Sequence, residues 1–218
     1  MGHVVALDGK VLKTPGKAAL VLPTRALADA VAEEWRAQTG EIDPETMPQT
    51  QFASTAIDRV MPQHSSVVAE VANFADTDLL CYRADEPDEL VAKQARVWDP
   101  YLKWVQDALG AELRPTAGVM PAAQDPAALS KINAAIDAFD AFSLTAAHAL
   151  TNGLGSVVLA LAYLRDFAPL EAVWQASILD ATYQERAWGV DDEAAEKRAK
   201  VHFELTAAAE FISHLRNK

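Results

Sequence analysis

The chain opens on short apolar runs, Val4-Val5-Ala6-Leu7, Val11-Leu12 and Ala19-Leu20-Val21-Leu22, separated by Asp8-Gly9 and by Thr14-Pro15-Gly16. Short apolar runs bounded by turn residues predict strands, and Asp8-Gly9 is a hairpin-turn dipeptide. Pro23 ends the third run. From Thr24 the period changes: Leu27, Val31 and Trp35 recur at steps of four, with Asp29, Glu33 and Arg36 on the other side. Residues 24–38 are therefore expected as an amphipathic helix capped by Thr24, with Trp35 closing its apolar stripe.

Beyond a loop from Gly40 to Pro48 the pattern is mostly helical. Helices are expected over 49–60 and over 66–75, the second starting at Ser65. Periodicity leaves Leu79-Leu80-Cys81-Tyr82 open between a short strand and continued helix. Two further helices are expected over 87–98 and 100–109, with Pro100 at a helix start and Gly110 just past an end. Residues 111–124 hold two prolines and Gly118 and read as a linker or a small β excursion. The remaining helices are 126–139, 143–151, 154–166, 169–188 and 191–216. In the last, Val201, Leu205, Ala208, Ile212 and Leu215 form one seam that must pack on neighbours. With no internal repeat, the expectation is an α+β fold: a β-rich region with one helix over 1–48, then a helical domain over 49–218.

Composition narrows the class. The chain has 218 residues, 50% of them apolar and 23% charged, which does not fit a disordered protein. Cys81 is the single cysteine, so an internal disulfide and a thiolate metal cage are excluded and an intracellular location is expected. There are 31 acidic residues against 19 basic, a net charge of −12. Two windows carry most of the excess. Residues 29–45 hold Asp29, Glu33, Glu34, Glu41, Asp43 and Glu45 against Arg36, six minus one, or −5. Residues 76–90 hold Asp76, Asp78, Asp85, Glu86, Asp88 and Glu89 against Arg83, again −5. A polyphosphate partner is repelled by such a balance, so nucleic acid is not expected. The windows read either as solvated faces or as docking surfaces for a basic partner.

No basic segment with an apolar core opens the chain, so no secretory signal is expected. Residues 141–164 lack charge over a bilayer-spanning length, but His148, Thr151, Asn152, Gly153, Gly155 and Ser156 interrupt them. Two buried helices meeting at a turn fit that centre better than a membrane span.

The chemical motifs are sparse. There is no G-x-S-x-G, and Cys81 lies in an apolar run as a small core residue would. The five histidines form no H-x-x-x-H or H-E-x-x-H pair, and the Asp76-x-Asp78 and Asp191-Asp192-Glu193 clusters lack a calcium loop's glycine and terminal glutamate. Asp191-Asp192-Glu193 suits the acidic first turn of a helix. Gly153-Leu154-Gly155 has no lysine and no preceding strand, so close helix packing explains it as well as a phosphate cradle. No cofactor or metal is expected. On helix 169–188, Glu185 falls on the face that carries Trp174, Ile178, Ala181 and Trp188. There it is partly buried, paired with a cation, or at the rim of a contact surface. Trp35 is a core residue by its stripe, or an interface anchor by its type.

Several blocks, in order, resemble one family. They are Leu7-Asp8-Gly9-Lys10 with Lys13-Thr14-Pro15; Leu22-Pro23 with Ala32-Glu33-Glu34-Trp35; Ile42-Asp43-Pro44-Glu45-Thr46-Met47-Pro48; and Thr55-Ala56-Ile57-Asp58. Asp78-Leu79-Leu80-Cys81-Tyr82-Arg83-Ala84, Trp98-Asp99-Pro100 with Trp104, Gly153-Leu154-Gly155-Ser156, and Leu179-Asp180 with Tyr183-Gln184 and Trp188-Gly189 follow. Together they resemble the assembly chaperones for the α subunit of the catalytic sector of F-type ATP synthase, found in mitochondria and alphaproteobacteria. The family usually has more sequence before its first strand, and Asp180 stands where many relatives carry glutamate.

The resemblance implies a non-enzymatic role: binding the unassembled α subunit and shielding its interface until the β subunit replaces it. It implies Trp35, Asp180, Glu185 and Trp188 as partner-contact or support residues, with Glu34 and Asp58 beside them. A monomer in the bacterial cytoplasm is expected, with eukaryotic relatives in the mitochondrial matrix. A small hydrolase or transferase using a carboxylate pair, and a helical adaptor with another client, are the competing expectations.

Overall fold

A computed structural model describes residues 2–118 and 122–217. Its element order is β1 (His3–Val4), β2 (Ala6–Leu7), β3 (Lys10–Val11), β4 (Val21–Leu22), α1 (Arg25–Ala37), α2 (Pro48–Thr55), α3 (His64–Asn73), β5 (Tyr82–Arg83), α4 (Asp88–Leu109), β6 (Thr116–Ala117), α5 (Pro126–Asp137), α6 (Ala141–Leu154), α7 (Val157–Leu164), α8 (Leu170–Ser177), α9 (Leu179–Trp188) and α10 (Asp192–Arg216). This is an α+β fold, with helices dominating and the antiparallel strands at the start of the chain. The chain divides into two compact units. One comprises Met1–Val67, Phe139–Ala146 and Thr206–Lys218; the other comprises Val68–Ala138 and Ala147–Leu205.

In the first unit, β1 pairs antiparallel with β4, and β2 with β3. A bridge between Lys13 and Ala19 extends the β3 strand alongside the approach to β4. Alternate residues turn inward, so Leu12, Leu20 and Leu22 are buried. Leu27 and Val31 of α1 are fully buried, as the stripe predicts. The Thr24 hydroxyl accepts from Leu27 N at 3.2 Å and donates to the His214 carbonyl of α10 at 2.7 Å, capping one helix while satisfying the end of another. Phe211 lies between Phe52, tilted against it, and Phe142, stacked on it, with ring centroids 5.3 and 6.3 Å away. Phe211 is fully buried, and burying such a ring stabilises by about 1.5–3 kcal/mol.

The helical path from Pro48 to Asn73 changes pitch in the middle. A wide π turn over Ala56–Val60 and a 3₁₀ turn over Met61–Gln63 join α2 to α3. The wide turn comes just before Pro62, which has no N–H to give to a carbonyl four residues back.

In the second unit, α7 is buried on almost every side, Val157 through Ala162 with Leu164. Its neighbour α6 ends at Leu154, and Gly155 turns the chain, so residues 141–164 form the two helices expected of their polar centre. No described helix is long and apolar enough to cross a membrane. A Cβ on Gly153 would meet the Leu205 side chain at 2.8 Å. The glycine thus serves close packing of α6 against α10, and the phosphate-cradle alternative finds no support.

Two expectations are corrected, and one left open by periodicity is resolved. Helices 87–98 and 100–109 are one helix, α4, with Pro100 inside it. Proline removes one backbone donor, but Trp98, Tyr101 and Val105 are buried along one face on both sides of it, and that packing holds the helix together. Helix 169–188 is two helices. Ile178 leaves helical geometry at φ −99°, ψ 14°, and the Ser177 hydroxyl donates to the Trp174 carbonyl at 2.8 Å. The break resets the apolar face, so Trp188 does not continue the buried line of Trp174. Leu79–Tyr82 is neither a strand nor a helix throughout: a 3₁₀ turn over Leu79–Cys81 leads into β5, which pairs parallel with β6. Within the 111–124 segment, residues 119–121 lie outside the described residues.

Candidate protein-contact surface

The six candidate residues fall into two groups by unit: Glu34, Trp35 and Asp58 in the first, Asp180, Glu185 and Trp188 in the second.

Helix α2 begins with Met47 at its cap position, a residue with no side-chain acceptor, so its first backbone N–H groups need an oxygen from elsewhere. Glu34 supplies both of its own. Oε1 accepts from Gln49 N at 2.6 Å; Oε2 accepts from Thr50 N at 2.8 Å and from the Thr50 hydroxyl at 2.6 Å. A carboxylate at a helix N-terminus also meets the positive end of the helix dipole. Asp58, carried by the π turn, acts in the same way on the Thr14–Ala18 turn. It accepts from the Thr14 hydroxyl at 2.6 Å and from Gly16 N at 2.7 Å. A Cβ on Gly16 would lie 2.7 Å from the Asp58 carboxylate, so a larger residue there would displace that carboxylate from its hydrogen bonds. Trp35 is half-buried, and its indole Nε1 is buried with no hydrogen-bond partner among the described residues. The ring therefore sits at the edge of the core, its indole nitrogen inside and part of its surface exposed.

The second group shares helix α9, of which only Leu179 is fully buried. Lateral polar links hold the rest. Asp180 Oδ1 accepts from Gln94 Nε2 at 2.8 Å; Gln94 is buried in α4 and accepts from Ala84 N at 2.9 Å through its other atom. Lys93 lies 6.0 Å from the centre of the Tyr183 ring, at the outer limit of a cation–π contact. Glu185 forms an ion pair with Arg198 of α10, both side chains about four-fifths buried. Of the alternatives for Glu185, cation pairing is the one realised. At the end of the helix Trp188 is 81% exposed, and Val190, two residues on, is 65% exposed. A bare indole on a helix tethered through polar groups is a side chain presented outward.

Sequence reasoning passed over one buried carboxylate. Asp78, fully buried, accepts from the Ser156 hydroxyl at 2.7 Å, from Leu80 N at 3.1 Å and from Val158 N at 3.1 Å. With Ser156, which accepts from Leu159 N at 3.0 Å, it caps α7. Burial pushes its carboxyl up to about 6 against these hydrogen bonds. Burial likewise pushes the Cys81 thiol up to about 12, which keeps it protonated and inert as a nucleophile. Among the described residues, no group of histidines, cysteines and carboxylates is arranged to hold a metal ion.

Blocks far apart in sequence thus meet as hydrogen-bonded pairs: Thr14 with Asp58, Glu34 with Gln49 and Thr50, Asp78 with Ser156. Against known proteins, residues 1–106 match the family described as ATP12 chaperone protein. The structure of Atp12 from Paracoccus denitrificans is similar over 98% of this chain and 91% of that one, at 42% identity and a TM-score of 0.95. The chain belongs to the ATP12 chaperone family. A mutant of P. denitrificans Atp12p with an aspartate replaced by lysine is similar at 42% identity, a TM-score of 0.96, and 99% and 92% coverage. A candidate chaperone from Agrobacterium tumefaciens is similar at 38% identity, a TM-score of 0.94, and 99% and 81% coverage. Set within the ATP12 family, the polar pins around α9 and the capping carboxylates belong to a chaperone scaffold.

Proposed function

We propose that this chaperone serves the assembly of F-type ATP synthase in the bacterial cytoplasm, binding the unassembled α subunit as a monomer until the β subunit takes its place. The observation that carries the reading is Trp188, a large apolar ring left 81% exposed at the end of a helix held by polar links. Trp188 is the contact residue. Asp180 and Glu185 position its helix, while Glu34, Asp58 and Trp35 support the fold of the other unit.

A subunit that is obligately assembled exposes an apolar interface before its neighbour arrives, and such a surface aggregates. A chaperone for it needs an apolar anchor to exclude water, yet must release the client to the true neighbour. Few anchors and long-range charge meet both needs, because charge speeds encounter more than it prolongs residence. The acidic windows suit this role once their structural members are set aside. Asp78 is buried and Glu34 is spent on α2, but Asp29, Glu33, Glu41, Asp43 and Glu45 in the first window are exposed, as are Asp76, Asp85, Glu86, Asp88 and Glu89 in the second.

The test is co-expression of the α subunit with and without this chain. Soluble α that co-purifies with the chain, more strongly at low salt, is expected. Insoluble, uncaptured α in both cases contradicts the proposal.

A further inference from the structure

The N-terminal strands are apolar on both faces, but only one face is covered. Val4-Val5-Ala6-Leu7 and Ala19-Leu20-Val21-Leu22 are unbroken apolar runs, the pattern of strands buried on two sides. Leu12, Leu20 and Leu22 turn inward. On the other face Val4 stands directly opposite Val21, and Ala6 opposite Val11. The Lys13–Ala19 bridge, with Leu20 N donating to the Leu12 carbonyl at 3.0 Å, brings Val11 level with Val21. Cross-strand partners share a face. Val4, Val11 and Val21 are 52%, 44% and 43% exposed there, with Ala6, Ala19 and Lys13 exposed beside them. A solvated sheet face normally alternates to polar residues, and this one has a single cation among five apolar positions.

The charge of this region identifies the kind of cover. Residues 3–22 hold Lys10, Lys13 and Lys17 against Asp8, three minus one, or +2, in a chain of net charge −12. Asp58, which reaches the Thr14–Ala18 turn, is taken up by Thr14 and Gly16. A second copy would bring the same lysines against each other. Each of the three strand segments already pairs with the other two, so no long free edge is left to receive an added strand.

We propose that this outer face is a second client-contact surface, taking an apolar segment flanked by carboxylates from the α subunit. The proposal rests on the function proposed above and adds a site in the other unit, separate from Trp188. The valines exclude water from the client's apolar side chains, and Lys13, on the same face as Val11 and Val21, meets its carboxylates.

The test measures binding of purified α subunit to the full chain and to two variants. One carries Val4→Thr, Val11→Thr and Val21→Thr together, which keeps β-branched shape while making the face polar; the other carries Lys13→Glu. The triple variant is expected to bind about tenfold or more weakly with an unchanged melting temperature, a loss typical of interface anchors. Lys13→Glu is expected to bind several-fold more weakly at low salt, the difference closing at high salt as charge is screened. Parent-like binding by either folded variant overturns the proposal. If the triple variant does not fold, Lys13→Glu decides alone, since its side chain lies in solvent. Parent protein that fails to bind α overturns the proposed function and this inference with it, whereas loss confined to a Trp188→Ala control overturns only the inference. Sedimentation showing a dimer that the threonines dissolve would assign the face to a second copy and also overturn it.

Discussion

Glu34 and Asp58 of the first unit and Asp180 and Glu185 of the second are all carboxylates that find partners, yet the partners differ in kind. Glu34 and Asp58 accept from backbone N–H groups and from threonine hydroxyls, closing a helix start and a turn. Asp180 and Glu185 meet side chains of neighbouring helices, Gln94 and Arg198. The first kind completes the backbone's own hydrogen bonding, and its loss is felt as stability. The second kind fixes where a thinly buried helix lies, and its loss is felt where that helix presents Trp188. A carboxylate's partner therefore separates support from presentation.

The largest effect concerns the most deeply enclosed member of the first kind, Asp78. Its carboxyl is held near 6 in the folded chain against an ordinary 3.8, so the folded state holds the proton more tightly. The stability this contributes is fully present below 3.8 and is lost as pH rises through about 6. The shift corresponds to about 3 kcal/mol. Urea unfolding from pH 4 to 7 should show this decline in the parent and its absence in Asp78→Asn. A parent whose stability rises steadily over that range would contradict the assignment.

Glu34→Ala removes three hydrogen bonds at the start of α2, and a loss of about 2 kcal/mol is expected. Thermal melts of the folded variant measure it; an unchanged melting temperature would break the support half of the comparison. Asp58→Ala leaves Gly16 N to water and the buried Thr14 hydroxyl with only the Ala18 carbonyl at 3.5 Å to donate to, so about 1.5 kcal/mol is expected by the same melt. At the small end, Trp188→Ala removes a ring that folding does not bury, and stability should change by no more than about 0.5 kcal/mol. A larger loss would mean that Trp188 packs in solution.

Much of the fold was legible. The strands, the Thr24 cap with Leu27 and Val31, the seam of α10 and the two-helix character of 141–164 follow from local periodicity and turn chemistry. What failed was what packing decides. Pro100 stays inside α4 because buried side chains on both sides hold it, and the Ile178 break comes from local hydrogen bonding that an apolar period cannot register. The expected boundary at residue 48 follows local pattern alone; the compact units describe packing, and they draw residues 49–67, 139–146 and 206–218 to the N-terminal unit.

The candidate surface was partly legible. Place on an expected apolar face marked Glu185, and that face with a family-like block marked Trp188, but exposure and the Arg198 partner needed three dimensions. Glu34, Asp58 and Asp78 were visible only as acidic residues or family-like blocks. Their capping roles pair residues 15 to 80 positions apart, a separation no local pattern records.

The most direct measurement compares α-subunit affinity and melting temperature for Trp188→Ala and Glu34→Ala, both assayed below their transitions. Trp188→Ala should lose affinity by about tenfold or more and keep its melting temperature, while Glu34→Ala should melt lower and keep its affinity. Affinity lost from Glu34→Ala and retained by Trp188→Ala would contradict the division of the molecule into support and presentation.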